Sequence, residues 1–213
     1  MGNLHSKPYF DKCVELASPE IKQFLSKEDD FVKKILFDGC SILDVGCGYG
    51  RTIEIIHKIP SEIVGIDNSK RMVRDAKLNL KKCKNVKILF MDAFDIKLKQ
   101  KFDFVLCLMQ TFGNFSSNKL KSLKEMKRVL KKDGKMVIHV YNPKSFKIRL
   151  EGYKKVGMLI LKIEKDGTIH SSDGFTSEQF TKKKLEDLFS KAKLDVKIRL
   201  LTPISYICIA EKS

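Results

Sequence analysis

The stretch "ILDVGCGYGRT", residues 42–52, has three glycines at alternating positions directly after an apolar run. Glycine loses more conformational freedom on folding than any other residue, so such a cluster indicates a sharp turn or a close approach to the backbone. An acid, Asp44, lies two residues before the first glycine. The pattern predicts a buried strand followed by a loop that lies close against a ligand.

Strand and helix patterns alternate from this loop to residue 142. Ser69 is placed to cap the second helix, and the third helix is expected to end at Asp133-Gly134. This alternation predicts a doubly wound α/β fold, a largely parallel sheet with helices on both faces. The strand candidates are "SILDVGC", "EIVGID", "VKILFMD", "FDFVLCLM" and "KMVIHVYN", and the helix candidates are "RTIEIIHKI", "SKRMVRDAKLNLKKC" and "NKLKSLKEMKRVLKK".

The pattern changes after Pro143. The Asp166-Gly167 pair is a turn signal and predicts a hairpin inserted at about residues 153–173. A further helix is expected in "TSEQFTKKKLEDLFSKAKL", capped by Thr176 or Ser177.

The two ends of the chain complete the predicted organisation. The runs "DVKIRLL" and "ISYICIAEK" are separated only by Thr202-Pro203, so they are expected to be antiparallel neighbours. Residues 1–40 predict one or two helices ("PEIKQFLS", "DDFVKKIL") and are expected to form a lid segment ahead of a main domain at 41–213.

Composition narrows the class of protein. The chain has 213 residues, 43% of them hydrophobic, which suits one globular core. Six scattered cysteines without a C-x-x-C pair favour neither a disulfide framework nor a metal site. No apolar run approaches the roughly 18 residues of a membrane span, and no secretory signal is evident. We expect a reduced, cytoplasmic protein without a bound metal; its oligomeric state is left open.

The formal charge of +16 has two interpretations. It could serve a polyanionic partner such as RNA or an acidic membrane surface. It could instead reflect a lysine-rich proteome, because lysine outnumbers arginine about six to one and is spread along the whole chain.

The glycine spacing argues against a phosphate ligand. A dinucleotide fingerprint has the spacing G-x-G-x-x-G, whereas here the third glycine comes one residue early. A phosphate-binding P-loop would end in Gly-Lys-Ser/Thr, and Gly50 is followed by Arg51-Thr52. A preceding carboxylate suits a ligand that carries an ammonium group.

These residues resemble the class I S-adenosylmethionine-dependent methyltransferases over about residues 35–213. "LDVGCGYG" resembles the loop beneath the amino-acid end of the cofactor. "VGIDNS" resembles the second motif, in which Asp67 would accept hydrogen bonds from both ribose hydroxyls. "MDAFDI" resembles the third, with Asp92 beside the adenine amino group and Ala93 in backbone contact. "FDFVLCLMQTFGNF" resembles the strand and loop that line the methyl-transfer site.

The resemblance implies a Rossmann-like sheet of seven strands, mostly parallel with an antiparallel last strand. It implies S-adenosyl-L-methionine as cofactor and S-adenosyl-L-homocysteine as product. The residues that it assigns to the cofactor are Asp44, Gly46, Cys47, Gly48, Tyr49, Gly50, Asp67, Asn68, Met72, Asp92, Ala93, Phe94, Leu108, Met109 and Gln110.

Methyl transfer from a sulfonium is an in-line displacement, so the protein mainly aligns donor and acceptor. A nitrogen or oxygen acceptor that loses a proton also needs a nearby base. The catalytic candidates at the end of the fifth strand are His139, Tyr141 and Asn142. Tyr9 and Phe10 are expected to belong to the lid.

Three hypotheses on function follow. The Asn/Asp-Pro-Pro-aromatic tetrapeptide of base-amine methyltransferases is replaced here by "LMQT", and Cys107 lacks the preceding proline of the pyrimidine C5 enzymes. This favours a methyltransferase for a small-molecule acceptor. The alternatives are an RNA (tRNA or rRNA) methyltransferase and an inactive, cofactor-binding regulator.

A last motif concerns the first six residues. "MGNLHS" fits the M-G-x-x-x-[ST] pattern for N-myristoylation of Gly2. One acyl chain alone binds membranes only marginally, and a basic surface would supply the second signal.

Overall fold

The strands of the main sheet follow the order that the apolar runs predict, and three short strands form a second, smaller sheet. The computed structural model describes residues 7–115 and 118–213, so the predicted myristoylation site lies outside the described residues. The strands in this part of the chain are β1 Ser41–Val45, β2 Glu62–Asp67, β3 Val86–Phe90, β4 Phe102–Cys107, β5 Leu130–Tyr141, β6 Ile160–Ile163, β7 Ile169–Ser171, β8 Thr176–Ser177, β9 Leu194–Thr202 and β10 Ser205–Lys212.

Helices connect the strands and precede the first of them. Ser69 caps α4 as predicted, accepting a hydrogen bond from the Met72 amide. No helix among the described residues has the length and hydropathy to cross a bilayer. The helices are α1 Lys7–Glu15, α2 Pro19–Ile35, α3 Arg51–Ile56, α4 Lys70–Asn79, α5 Thr111–Asn114, α6 Lys119–Arg128, α7 Phe146–Lys155 and α8 Lys182–Lys191, with a 3-10 turn at Pro143–Ser145 before α7.

The main sheet has seven strands in the order β3-β2-β1-β4-β5-β10-β9. Strands β1 to β5 are parallel, and β10 is antiparallel to both of its neighbours. The predicted fold class is therefore confirmed. The order reverses between β1 and β4, where Asp44 pairs with Gly65 on one side and Leu106 on the other. Ligands bind at such a reversal in open α/β sheets.

Each face of the sheet buries its own core. On one face, Leu123 and Met126 of α6 and Phe189 of α8 pack on the strands. On the other, Val32 of α2 and Ile53 of α3 do the same, together with residues of α4.

The prediction for the end of α6 is wrong. The helix ends at Arg128, and β5 already begins at Leu130, which is fully buried and pairs with Phe102. A Cβ at Gly134 would lie 2.9 Å from the Phe102 carbonyl oxygen. Gly134 is therefore a close-approach position within a strand and not a helix stop.

The prediction for the cap of α8 is also wrong. Thr176 and Ser177 form β8, and the helix begins later, with Thr181 accepting the Lys184 amide hydrogen. The Ser177 hydroxyl is occupied by Arg149 and Tyr153 of α7, so it is not available as a cap.

The predicted hairpin is present, but its strands begin later than expected and are accompanied by a helix and a third strand. Helix α7 covers 146–155, and the antiparallel strands β6 and β7 follow it on either side of Asp166-Gly167. Strand β8 pairs with β7, which makes a small sheet of three strands. In the first forty residues, the two predicted helical runs are parts of the single helix α2, and α1 precedes it.

Candidate active site

A cavity of about 510 Å³ lies at the carboxyl ends of the parallel strands, where the strand order reverses. It is lined by every residue that the motifs assign to a cofactor except Gly50. These residues come from the ends of β1 to β4, the loops that follow, and the first turn of α4. The structure thus brings together residues that lie up to 66 positions apart, from Asp44 to Gln110.

The three glycines of the loop, Gly46, Gly48 and Gly50, differ in what a Cβ at each position would contact. All three have positive φ, between +55° and +87°. A Cβ at Gly46 would overlap the Thr111 side chain, whereas one at Gly48 would meet no atom within 4 Å. A Cβ at Gly50 would lie 2.5 Å from Leu80 Cδ1. Gly50 therefore serves the packing of the loop on its neighbouring helix, and Gly48 leaves open space beside the cavity.

Asp44 is a buried acid that faces the cavity. Its residue is only 3% exposed, and no hydrogen bond from a described residue reaches its carboxylate. Burial raises the pKa of Asp44 to about 7, the nearby Glu28 carboxylate adds to this rise, and Arg51 opposes it. A buried, unpartnered carboxylate of this kind fits a ligand that brings a cationic hydrogen-bond donor.

Asp67 is oriented by the backbone at the end of β2. Its two carboxylate oxygens accept the Gly48 amide at 2.9 Å and the Ser69 amide at 2.8 Å. Asp92 is more exposed, and its carboxylate accepts the Phe94 amide at 2.9 Å. Both acids line the cavity, and the first of them ties the glycine loop to the neighbouring strand.

Glu28 of α2, a buried acid that the motifs did not predict, supports the loop after β4. We call its hydrogen-bonded cluster with Arg51 and Asp29 the brace. Glu28 is fully buried and accepts the Met109 amide at 2.7 Å. Its other oxygen pairs with Arg51 at 2.9 Å, and Arg51 also contacts both oxygens of Asp29 at 2.8 Å. The helical spacing of the sequence could have predicted the burial of Glu28. It lies four residues from Phe24 and four from Val32, so all three share one face of α2, and that face is buried.

This brace holds an unusual loop after β4. Met109 and Gln110 both have positive φ, 50° and 63°, although neither is glycine. The Gln110 side-chain oxygen accepts the Tyr141 amide at 2.7 Å, and its nitrogen donates to the Glu178 carbonyl. Strained backbone of this kind persists only where the surroundings hold it, and it is common at functional sites.

The three catalytic candidates lie in different environments. His139 is fully buried outside the cavity, stacked on Phe24 at 3.9 Å and bonded through Nδ1 to Glu28 at 2.6 Å. Asn142 also lies outside it, and its side chain donates to the Pro203 carbonyl and accepts the Lys144 amide. Of the three candidates, Tyr141 alone lines the cavity.

Tyr141 is placed to donate a hydrogen bond. Its ring lies 4.7 Å from the Phe24 ring and 5.3 Å from the Arg149 guanidinium. Burial raises the pKa of Tyr141 far above its ordinary value, so the hydroxyl stays protonated near neutral pH. The hydroxyl makes no hydrogen bond to any residue that the structure describes.

Part of the cavity lining is formed by helices α1, α2 and α7, and we call it the helical wall. Phe10 of this wall contacts Tyr49 of the glycine loop, with the ring centroids 5.4 Å apart. The wall is mostly apolar or aromatic, with Arg149 as its charged member. Within the described residues, no group of three His, Cys, Asp or Glu side chains could hold a metal ion. The wall comprises Tyr9, Phe10, Cys13 and Val14 of α1, Ile21, Phe24 and Leu25 of α2, and Ile148, Arg149 and Tyr153 of α7.

The comparisons with known proteins agree with this geometry. A family model described as "Methyltransferase domain" matches residues 36–193, most of the chain. The chain belongs to this methyltransferase family. The resemblance to class I S-adenosylmethionine-dependent methyltransferases is thereby confirmed, and the matched residues contain the glycine loop, Asp67 and Asp92.

The curated relatives of this methyltransferase-family chain differ in their named acceptors. "Ubiquinone biosynthesis O-methyltransferase" of Pelagibacter ubique is 33% identical over 122 residues, 57% of this chain and 49% of that protein. "Probable tRNA methyltransferase 9B" of Homo sapiens is 27% identical over 139 residues, 63% of this chain and 27% of that protein. The chain therefore spans about half the length, or less, of these relatives.

Solved structures share the fold over nearly the whole chain. The PH0226 protein of Pyrococcus horikoshii superposes with a TM-score of 0.74 at 20% identity, covering 99% of this chain and 95% of that one. An S-adenosylmethionine-dependent methyltransferase of Clostridium acetobutylicum superposes with a TM-score of 0.67 at 13% identity, covering 96% of both chains. At these identities the likeness establishes the fold, including the helices that cover the sheet.

Proposed function

We propose that the chain is an enzyme that transfers a methyl group from S-adenosyl-L-methionine to a small-molecule acceptor. The observation that carries this proposal is the helical wall, which lines the cavity with apolar and aromatic side chains of α1, α2 and α7. Pockets for small molecules are typically apolar and concave with a few directed polar groups. An acceptor that lies against Tyr141 would sit between this wall and the loop after β4.

The cavity fits the proposed cofactor. Asp44 offers an unpartnered carboxylate for an ammonium group, and Gly48 leaves room for a ligand to approach the backbone. Asp67 lines the cavity at the end of β2, and backbone amides orient both of its carboxylate oxygens. When bound, the cofactor supplies a methyl group on a cationic sulfur. The chain's own part is to orient both reactants, to keep water away, and to offer the Tyr141 hydroxyl as a donor.

The test is transfer of labelled methyl from S-adenosyl-L-methionine into a cell extract that is then divided into RNA, protein and small-molecule fractions. We expect wild-type protein to label the small-molecule fraction. Asp67→Ala is expected to abolish that label, because it removes a carboxylate that the cavity positions for the cofactor. Label that is insensitive to this substitution would contradict the proposed site.

A second candidate function is methylation of RNA. It is supported by the formal charge of +16 and by a named tRNA methyltransferase among the relatives. Basic surface charge contributes to affinity for any nucleic acid, whether or not the protein acts on it. In the same experiment, label in the RNA fraction that Asp67→Ala removes would favour this candidate over the first.

Replacing Tyr9 in the helical wall is expected to weaken acceptor use more than cofactor binding. Tyr9→Ala removes an aromatic ring from the α1 part of the wall. We expect the initial labelling rate to fall roughly tenfold, because Tyr9 is only half-buried. Its ring then contributes about 1.4 kcal/mol, roughly half of the value for a fully buried aromatic side chain, and 1.4 kcal/mol corresponds to a factor of ten. Binding of S-adenosyl-L-homocysteine, measured by calorimetry, should change less than about threefold, which is below 1 kcal/mol.

The matched control for Tyr9 is Lys12→Ala, which lies on the same helix but is exposed and outside the cavity. Lys12→Ala should leave the initial labelling rate and the affinity for S-adenosyl-L-homocysteine unchanged. An unchanged labelling rate in Tyr9→Ala would contradict the role of α1 as a cover for the acceptor.

Gly50→Ala is expected to lower stability without weakening cofactor binding. A residue with a Cβ is strained at a φ of +87°, and the new methyl would push on Leu80. We expect a loss of about 1–3 kcal/mol in the free energy of unfolding, measured with urea. Gly48→Ala is the matched variant, because its Cβ meets no neighbour and the residue lines the cavity. A larger loss of cofactor affinity at position 50 than at 48 would contradict this division of roles.

A further inference from the structure

Arg149 is a buried charge without a carboxylate partner. It is 1% exposed, yet it lines the cavity. Its Nε donates to Ser145 Oγ at 3.0 Å, and Nη1 donates to the Ser177 carbonyl at 2.8 Å and hydroxyl at 2.7 Å. Nη2 donates to the Gly167 carbonyl at 3.1 Å and to Gln179 Oε1 at 2.6 Å. All of these acceptors are neutral.

No carboxylate in the described part of the chain lies within 4 Å of this guanidinium. Asp166 acts on it from farther away, but that carboxylate pairs with Lys184 at 3.4 Å. Buried charges in proteins are normally paired, because burial without an opposite charge is costly. Arg149 therefore leaves a net positive charge beside the helical wall.

The rest of the cavity does not cancel that charge locally. The acids that line it are Asp44, Asp67 and Asp92, all on the cofactor side. The helical wall itself contains none. Arg51 also lines the cavity, next to the glycine loop, but it is paired with Glu28 at 2.9 Å and Asp29 at 2.8 Å. The cavity is thus electrically divided, with acids around the proposed cofactor and an unpaired cation, Arg149, beside the proposed acceptor.

Among the residues that the structure describes, the helical wall also lacks a group that could remove a proton from the acceptor. Its titratable side chains besides Arg149 are Tyr9, Cys13 and Tyr153. Burial raises the pKa of each of them, as it does for Tyr141. None is a base near neutral pH. An acceptor in this position must therefore arrive already able to attack.

We propose that the acceptor is a largely apolar molecule with an anionic oxygen, a carboxylate or an ionised phenol, and that Arg149 selects it by its charge. The inference rests on the proposed function. The anionic oxygen attacks the methyl carbon, a C–O bond forms as the S–C bond breaks, and the bonding pair remains on the sulfur. The product is a neutral methyl ester or ether, and no proton has to move. Arg149 acts as a positioning residue, since its five N–H groups are already engaged.

The test compares three ligands of the same ring size and different charge: 2-naphthoate, 2-naphthalenemethanol and 2-naphthylmethylamine. Each is titrated by calorimetry into protein saturated with S-adenosyl-L-homocysteine. We expect wild-type protein to bind 2-naphthoate at least tenfold more tightly than the amine, with the alcohol between them. Equal or tighter binding of the amine would overturn the proposal, as would the binding of none of the three.

The decisive variant is Gln179→Glu, which puts a carboxylate in contact with Arg149 while keeping its size and its hydrogen-bond acceptor. We expect the preference for 2-naphthoate over the amine to fall at least fivefold. Arg149→Lys keeps the charge and should retain most of the preference. An unchanged preference in Gln179→Glu would overturn the role of Arg149.

Titration of S-adenosyl-L-homocysteine into each protein separates this inference from the proposed function. If wild-type protein does not bind that nucleoside, the proposed function fails. If it binds and the variants bind it equally well, the fold and cofactor site are intact, and the naphthyl preferences alone decide the acceptor class.

Discussion

Asp44→Asn is expected to weaken S-adenosyl-L-homocysteine binding at least 100-fold while it stabilises the ligand-free protein. The carboxylate is buried, unpartnered and close to Glu28, so in the absence of a ligand its negative charge is unfavourable. Asparagine has nearly the same shape and carries no charge. The loss of binding follows because a charge-assisted hydrogen bond to an ammonium group is replaced by a neutral one.

The pH dependence follows from the pKa of Asp44, which is raised from its ordinary value of 3.8 to about 7 in the folded protein. A carboxyl with a raised pKa gives the folded state stability below the unfolded value, and this is lost as pH rises through about 7. Above that pH, Asp44→Asn should be more stable than wild type by roughly 2–4 kcal/mol, at 1.36 kcal/mol per pKa unit. Near pH 4 the two proteins should be equally stable.

Cofactor binding should show the opposite trend. An ionised Asp44 is needed to bind a cation, so wild-type affinity should fall as pH drops below about 7, by up to tenfold per pH unit. Calorimetry from pH 5.5 to 8.5 and urea unfolding at both ends measure the two trends. Asp92→Asn, which replaces an exposed acid of the same cavity, is the control and should keep both wild-type pH trends, because Asp44 is still present. A steep pH dependence that survives in Asp44→Asn would assign the titration to another group.

The second large effect is expected at Gly46. Alanine there would be strained at a φ of +74°, and its methyl group would overlap Thr111 Cγ2. The backbone strain and the steric overlap both destabilise the folded protein, and we expect a loss of roughly 3–5 kcal/mol in the free energy of unfolding. Because the loop lines the cavity, cofactor binding should be lost as well.

Thr111→Ser provides the matched rescue, because it removes Cγ2 and keeps the hydroxyl. The double variant Gly46→Ala/Thr111→Ser should recover about half of the lost stability, the remainder being backbone strain. A double-mutant cycle by urea unfolding isolates the steric term. If the two substitutions are simply additive, the contact between the loop and α5 does not limit residue 46.

The local patterns of the sequence determined most of the fold. The alternation of short apolar runs with amphipathic helices is sufficient for a doubly wound sheet, since each element is encoded within about ten residues. The glycine loop and Asp67 were also readable, because their spacing follows from one strand, one turn and the next strand. All these signals act over short stretches of chain.

Local sequence patterns did not predict the boundaries of elements that contact distant segments of the chain. The stretch after Arg128 continues a helical pattern, but Leu130 pairs with Phe102 and begins a strand. Thr176 and Ser177 look like caps, but Ser177 is bonded to α7. In both places a tertiary partner outweighs local preference, and the identity of that partner is not encoded locally.

The acceptor side of the site was decided by tertiary structure alone. His139 and Tyr141 are alternate residues of one strand and both contact Phe24 of α2, yet only Tyr141 lines the cavity. Glu28 reaches His139 across 111 positions of sequence. The sequence by itself determined the family, the sheet and the cofactor loop, because their signals are local. The brace behind that loop, the helical wall and the unpaired charge of Arg149 exist only once distant segments pack together.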